Sequence, residues 1–138
     1  MSRRPLPGSC SRLFYNLLTM ENLLNTTDAP IIPFPIPGAT SDKLSAQILN
    51  VDLTYGPVFV ILHMAPGARI PAHIHRGTAE QHYVLEGDFI NDGMTYGPGA
   101  FFSHDIGQKH GPHETRGGCK LIFTQGKEVD PSDFFIAE

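Results

Sequence analysis

From Lys43 onward the chain alternates short apolar runs with glycine and proline turns. Residues 58–64, Val-Phe-Val-Ile-Leu-His-Met, form a run rich in β-branched residues, which Pro66-Gly67 breaks. This spacing predicts strands over 44–51, 58–64, 70–75, 81–86, 89–90, 94–96, 100–103 and 121–124, the last led in by Gly117-Gly118-Cys119-Lys120. Asn91-Asp92-Gly93 lies between two of these runs, and Asp-Gly is a strong hairpin signal. Gly87 and Gly97-Pro98-Gly99 supply further turns. Turn signals at such short intervals indicate an all-β sandwich or barrel. Residues 29–38 are apolar and rich in proline, so they cannot be helix and are expected to lie extended against the barrel or against a second subunit. Phe134-Phe135-Ile136 is expected to cover an edge strand or to pack in a dimer.

The chain has 138 residues, the size of one domain, and can bury a core without disulfides or structural zinc. Fourteen glycines and twelve prolines with 17% charged residues suit strands and tight turns better than long helices. A net charge of −4 argues against a nucleic-acid partner, because phosphate binding needs a basic face. No apolar run reaches the length of a membrane span. Cys10 and Cys119 are far apart and outside any CxxC pair, which points to a reducing, cytoplasmic setting. Cys119 reads as a small buried apolar side chain. Residues 1–20 carry Arg3, Arg4 and Arg12, several serines and no acid, a composition shared with transit peptides. Pro5, Pro7 and Gly8 would spoil the helix such a peptide needs, so the segment is read as an extension, or as lying upstream of a true start at Met20. The expected layout is a disordered or loosely ordered extension over 1–28 and one domain over 29–138.

Seven histidines are many for this length, and their spacing is more informative than their number. His73 and His75 are two apart, so on a strand both rings face one side and Ile74 the other. Glu80 follows after a four-residue gap and can return a carboxylate beside the two imidazoles. His110 comes later, just after Gly107. Imidazole and carboxylate donors suit first-row divalent metals. His82 shares the strand parity of Glu80 and could replace or neighbour it, and His113 could compete with His110.

These residues stand at the offsets of two motifs, and here the sequence resembles the cupin superfamily. The first runs Gly67, five residues, His73-x-His75, four residues, Glu80, six residues, Gly87. The second is matched by Gly99, Gly107 and His110, with Asp105 where the pattern has proline and Glu114 where it has asparagine. The resemblance implies a double-stranded β-helix, or jelly-roll, barrel over 29–138 and a single divalent metal ion on His73, His75, Glu80 and His110. It also implies a homodimer, the family habit. Tyr83 to Phe89, Thr95 to Gly99 and Gly118-Cys119 look like the ChrR-like cupins, and His73 to Gly77 looks like the acetylacetone and dihydroxyacetophenone dioxygenases.

That likeness implies Fe(II) as the favoured ion, with zinc, manganese or nickel as alternatives, and as partners O₂ and a small ketone, β-diketone or aryl hydroxyketone. Candidate groups around the ligands are His63, His82, His104 and Tyr83, and candidate wall residues are Phe59, Ile61, Phe101 and Phe102. The alternatives are a zinc-binding, sensor-like module without catalysis and a metal-dependent isomerase or lyase.

Overall fold

The structure, a computed structural model, describes residues 24–50, 57–126 and 130–138. The transit-like composition of 1–20, the Met20 alternative and Cys10 lie outside the described residues. Asn25 caps a 3₁₀ turn at Thr26–Asp28, and a second such turn spans Ser41–Lys43.

The strands are β1 (Ile32–Pro33), β2 (Leu44–Ile48), β3 (Val58–Met64), β4 (Arg69–Ile70), β5 (His73–Ile74) and β6 (Glu80–Gly87), followed by β7 (Phe89–Asn91), β8 (Met94–Tyr96), β9 (Phe101–His104), β10 (His113–Glu114), β11 (Cys119–Gln125) and β12 (Phe135–Ile136). They form a six-stranded sheet in the order β1-β2-β3-β11-β6-β9, a four-stranded sheet β4-β10-β7-β8 and the pair β12-β5. The fold is an all-β jelly-roll, with antiparallel pairing between its strands.

Alternation builds the core. On β11, Cys119, Leu121, Phe123 and Gln125 are buried while Lys120, Ile122 and Thr124 are half-buried. On β6, Glu80, His82 and Val84 are buried, so one stripe supplies both core and chemistry. Val60, Leu62, Phe89, Leu121 and Phe123 fill the space between the sheets. Complete burial of side chains such as Phe89, Leu121 and Val60 contributes about 1.5–3 kcal/mol each. At Gly87 (φ +81°), a Cβ would come within 2.0 Å of the Gly118 carbonyl oxygen, so the turn from β6 into β7 admits no side chain.

The predicted strand over 70–75 is divided in two. Pro71 offers no N–H to a ladder, and the chain changes sheets at Pro71-Ala72, from β4 beside β10 to β5 beside β12. Within the apolar stretch at 29–38, Ile32–Pro33 lies extended and pairs with Ala46 and Ser45 of β2. Phe135–Ile136 covers the edge of β5. No helix among the described residues is long and apolar enough to cross a membrane.

Candidate metal centre

Strand parity turns His73 and His75 into the barrel, where both are buried, and leaves Ile74 half-buried against Phe135. His110 is fastened beside them by two backbone hydrogen bonds, His73 N–H to His110 O at 2.9 Å and His110 N–H to His73 O at 3.0 Å. Gly107, in the left-handed region at φ +78°, makes the turn that brings this segment back and donates its N–H to His75 O at 2.8 Å. Glu80 opens β6, in register with His104 of β9. One donor atom from each of His73, His75, Glu80 and His110 lies within 4.8 Å of the others, and all four residues are buried. This His₃Glu cluster can hold a metal ion.

Hydrogen bonds aim the imidazoles. Nδ1 of His73 donates to Pro71 O at 2.7 Å, Nδ1 of His75 to Asp133 O at 2.6 Å, and Nδ1 of His110 to Gln108 O at 3.2 Å. Each ring therefore presents an Nε2 lone pair, the arrangement that metal-binding histidines adopt. Nε2 of His75 and of His110 is buried with no hydrogen-bond partner. Buried polar atoms left unpaired cost about 1–3 kcal/mol each, and a shared cation removes that cost. The donor set thus fits a divalent ion on both geometry and chemistry.

Glu80 is held from two sides. His82 Nε2 contacts Oε1, and Gln125 Nε2 donates to Oε2. His75 Nε2 lies 3.1 Å from Oε2 and His110 Nε2 3.6 Å from Oε1. Burial would raise the carboxyl pKa, but the charge of His82 and the close imidazole nitrogens of His110, His75 and His82 outweigh it and hold Glu80 well below its usual range. Burial, then the neighbouring His110, pushes His73 down to about 3. Burial also opposes charge on His75, yet the nearby Glu80 carboxylate and the Asp133 carbonyl raise its pKa overall. His104 is pushed down to about 4 by burial and by His110 and His82, and His113 is pushed well below its ordinary value by burial first. Neutral His73, His104 and His113 add no positive charge that would repel a cation.

The candidates named from sequence divide by parity. His82 is beside Glu80 as a neighbour rather than a replacement. His104 stacks on His110, with ring centroids 4.2 Å apart and planes at 12°. His113 stacks on Phe89 at 5.2 Å instead of taking the place of His110. His63 and Tyr83 are not brought to the cluster: His63 bonds through Nε2 to Gln47 Oε1 at 2.8 Å, and Tyr83 is exposed. The expected wall is corrected too. None of Phe59, Ile61, Phe101 or Phe102 lines the cavity over the cluster, because Val60 and Leu62 face inward on β3, Phe101 faces solvent, and Phe102 packs into the core against Phe89. The cavity, about 330 Å³, is instead walled by Phe34, Ile36, Leu62, Phe89, Phe123 and Phe134 above the metal-binding side chains. Gln125 and Asp133 were missed. Gln125 was readable from the inward parity of Leu121 and Phe123, whereas nothing in the sequence marks Asp133.

The chain matches the ChrR Cupin-like domain over residues 19–129. Its fold is similar to that of the polyketide cyclase RemF from Streptomyces resistomycificus, at 22% identity and TM-score 0.71, covering 86% of this chain and 87% of that one. It is also similar to an RmlC-like cupin from Shewanella frigidimarina NCIMB 400, at 24% identity and TM-score 0.64, covering 80% and 94%. A chain in the crystal structure of Rhodobacter sphaeroides SigE in complex with the anti-sigma ChrR is similar at 23% identity and TM-score 0.56, covering 72% of this chain and 51% of that one. No curated protein matches the sequence.

Proposed function

The chain belongs to the ChrR cupin-like family, and from that premise we propose that it is a metal-dependent enzyme, a non-haem Fe(II) dioxygenase acting on a small ketone, β-diketone or aryl hydroxyketone. The observation that carries this reading is the convergence of His73, His75, Glu80 and His110, the first three of which line an apolar cavity of small-molecule size. When bound, a divalent ion supplies Lewis acidity toward a ketone oxygen and, as Fe(II), the electrons that O₂ chemistry needs. Zinc, manganese and nickel suit the same donors.

The residues of the chain do the rest. His73, His75 and His110 would offer three imidazole nitrogens to the ion, and His73, His75 and Glu80 also line the cavity. His82 and Gln125 hold the Glu80 carboxylate in one orientation. Phe34, Phe89, Phe123 and Phe134 exclude water and offer ring faces to a planar substrate. Among the described residues no lysine or arginine lines the cavity, while Asp130 does. An anionic substrate would find no counter-charge there beyond the ion, so the wall favours a neutral one.

A second reading, a non-catalytic zinc-binding module, is favoured by the family match itself. Elemental analysis of the protein as isolated, followed by aerobic and anaerobic assays on β-diketones and aryl hydroxyketones, tests both. Oxygen uptake by iron-loaded protein supports the dioxygenase. Turnover without O₂ indicates isomerase, lyase or cyclase chemistry instead. Tight zinc with no turnover at full occupancy of either metal supports the module.

A further inference from the structure

His75 lies just past the two-residue strand β5 and is followed by a loop, so the strand does little to fix its ring. A segment distant in sequence does so instead. The Asp133 carboxylate accepts from two consecutive backbone N–H groups just past His75: Arg76 N–H to Oδ1 at 2.7 Å and Gly77 N–H to Oδ2 at 2.8 Å. The same residue's carbonyl accepts from His75 Nδ1 at 2.6 Å. One residue thus grips the chain beyond the histidine with its side chain and the imidazole with its backbone. Next along the chain, Phe134 stacks on the His73 ring at 4.2 Å and 21°. Phe135 and Ile136 then pair with Ile74 and His73, and Arg76 lies over the Phe135 ring at 4.0 Å. Finally the Glu138 carboxylate accepts from Ala72 N–H at 3.1 Å and from Arg69 at 2.5 Å.

We propose that Asp133 is the positioning residue that sets the direction of the His75 imidazole, while the residues after it only attach the segment to the barrel. The proposal rests on the metal-binding reading above. A carboxylate bound to two N–H groups makes charge-assisted hydrogen bonds, which are stronger than neutral ones. Through them the position of the Asp133 backbone is tied to the Arg76-Gly77 turn. The Asp133 carbonyl is then held where only one tautomer of His75, with hydrogen on Nδ1, satisfies it. That tautomer turns the Nε2 lone pair toward Glu80 and His110. Without the grip, the Nδ1–H can find water in many directions, and the ring loses its single orientation. Such outer partners of a metal-binding histidine typically contribute about 10–100-fold in affinity.

The test uses the full chain loaded with Co(II). Affinity is read by chelator competition and ligand geometry by visible absorption. Asp133→Ala is expected to bind Co(II) about 10–100-fold more weakly than the parent, with an altered spectrum. Asp133→Asn keeps one acceptor oxygen, is expected to fall between, and carries the test alone if the alanine variant does not fold. Glu138→Ala loosens the same segment at its other anchor and is expected to keep the parent's affinity and spectrum. Parent-like affinity and spectrum in the Asp133 variants overturn the positioning role and leave the metal centre standing. Equal weakening by Glu138→Ala also overturns it, because the effect would then come from the segment's general attachment. A parent chain that takes up no Co(II) overturns the metal-binding reading and this role with it.

Discussion

Two concavities among the described residues of this barrel differ far more in chemistry than in size. A groove of about 420 Å³ is lined by Lys43, His63, Glu86, Cys119 and Lys120, among others. The cavity of about 330 Å³ sits over the His₃Glu cluster. Both contain histidine, acid and neighbouring strands, yet the groups of the groove satisfy one another. His63 has Gln47, and Lys120 lies 3.5 Å from Glu86. Burial pushes the Cys119 thiol up to about 11, which leaves it protonated and inert. In the cluster the reverse holds, for Nε2 of His75 and of His110 is buried without a hydrogen-bond partner. Volume does not distinguish the two places. Unsatisfied buried nitrogen does, because only that arrangement is relieved by an ion.

The contrast predicts graded effects of substitution. The largest is expected for His75→Ala, which removes a donor outright. Metal affinity should fall by more than about 100-fold, beyond the loss of an outer partner, and chelator competition reads it. Next come His82→Ala and Gln125→Leu, each of which leaves Glu80 with one support. A loss of about 10–100-fold in affinity is expected from either, with the histidines untouched.

A third effect concerns pH. In the metal-free chain, folded His73 and His104 titrate at about 3 and about 4, against 6.5 for the ordinary side chain. Between those values the unfolded chain binds protons that the folded chain refuses, so stability is lost as pH falls below 6.5. His75, with its raised pKa, works in the opposite direction and is outnumbered. The Tm of metal-free protein should therefore drop steadily from pH 7 to pH 4.5, and a flat or rising profile would contradict the burial described here. The smallest effect is expected from the groove: His63→Ala should cost about 1 kcal/mol of stability through one lost hydrogen bond and leave metal affinity unchanged, as denaturant titration and metal analysis would show.

Much of this was legible in the sequence, for a definite physical reason. Where one face of a strand is polar or carries ligands, alternation has a phase, and His73, His75, Glu80 and His82 fall inward as their spacing requires. The run at 58–64 is apolar on both faces and carries no phase, so Phe59, Ile61 and His63 were expected near a site they face away from. Residues 113–114 and 135–136 form strands too short for any periodicity to show, and they exist because neighbouring backbone completes them. Asp133 acts through backbone groups 57 and 56 positions away, a relation that no local pattern encodes.

The central claim is that three imidazoles and one carboxylate share a single divalent cation. X-ray absorption at the metal edge of the protein as isolated tests it most directly. The predicted result is one ion with three imidazole nitrogens in its inner shell at about 2.0–2.2 Å and no sulfur. A protein without an ion, or an ion bound through thiolate, would contradict it.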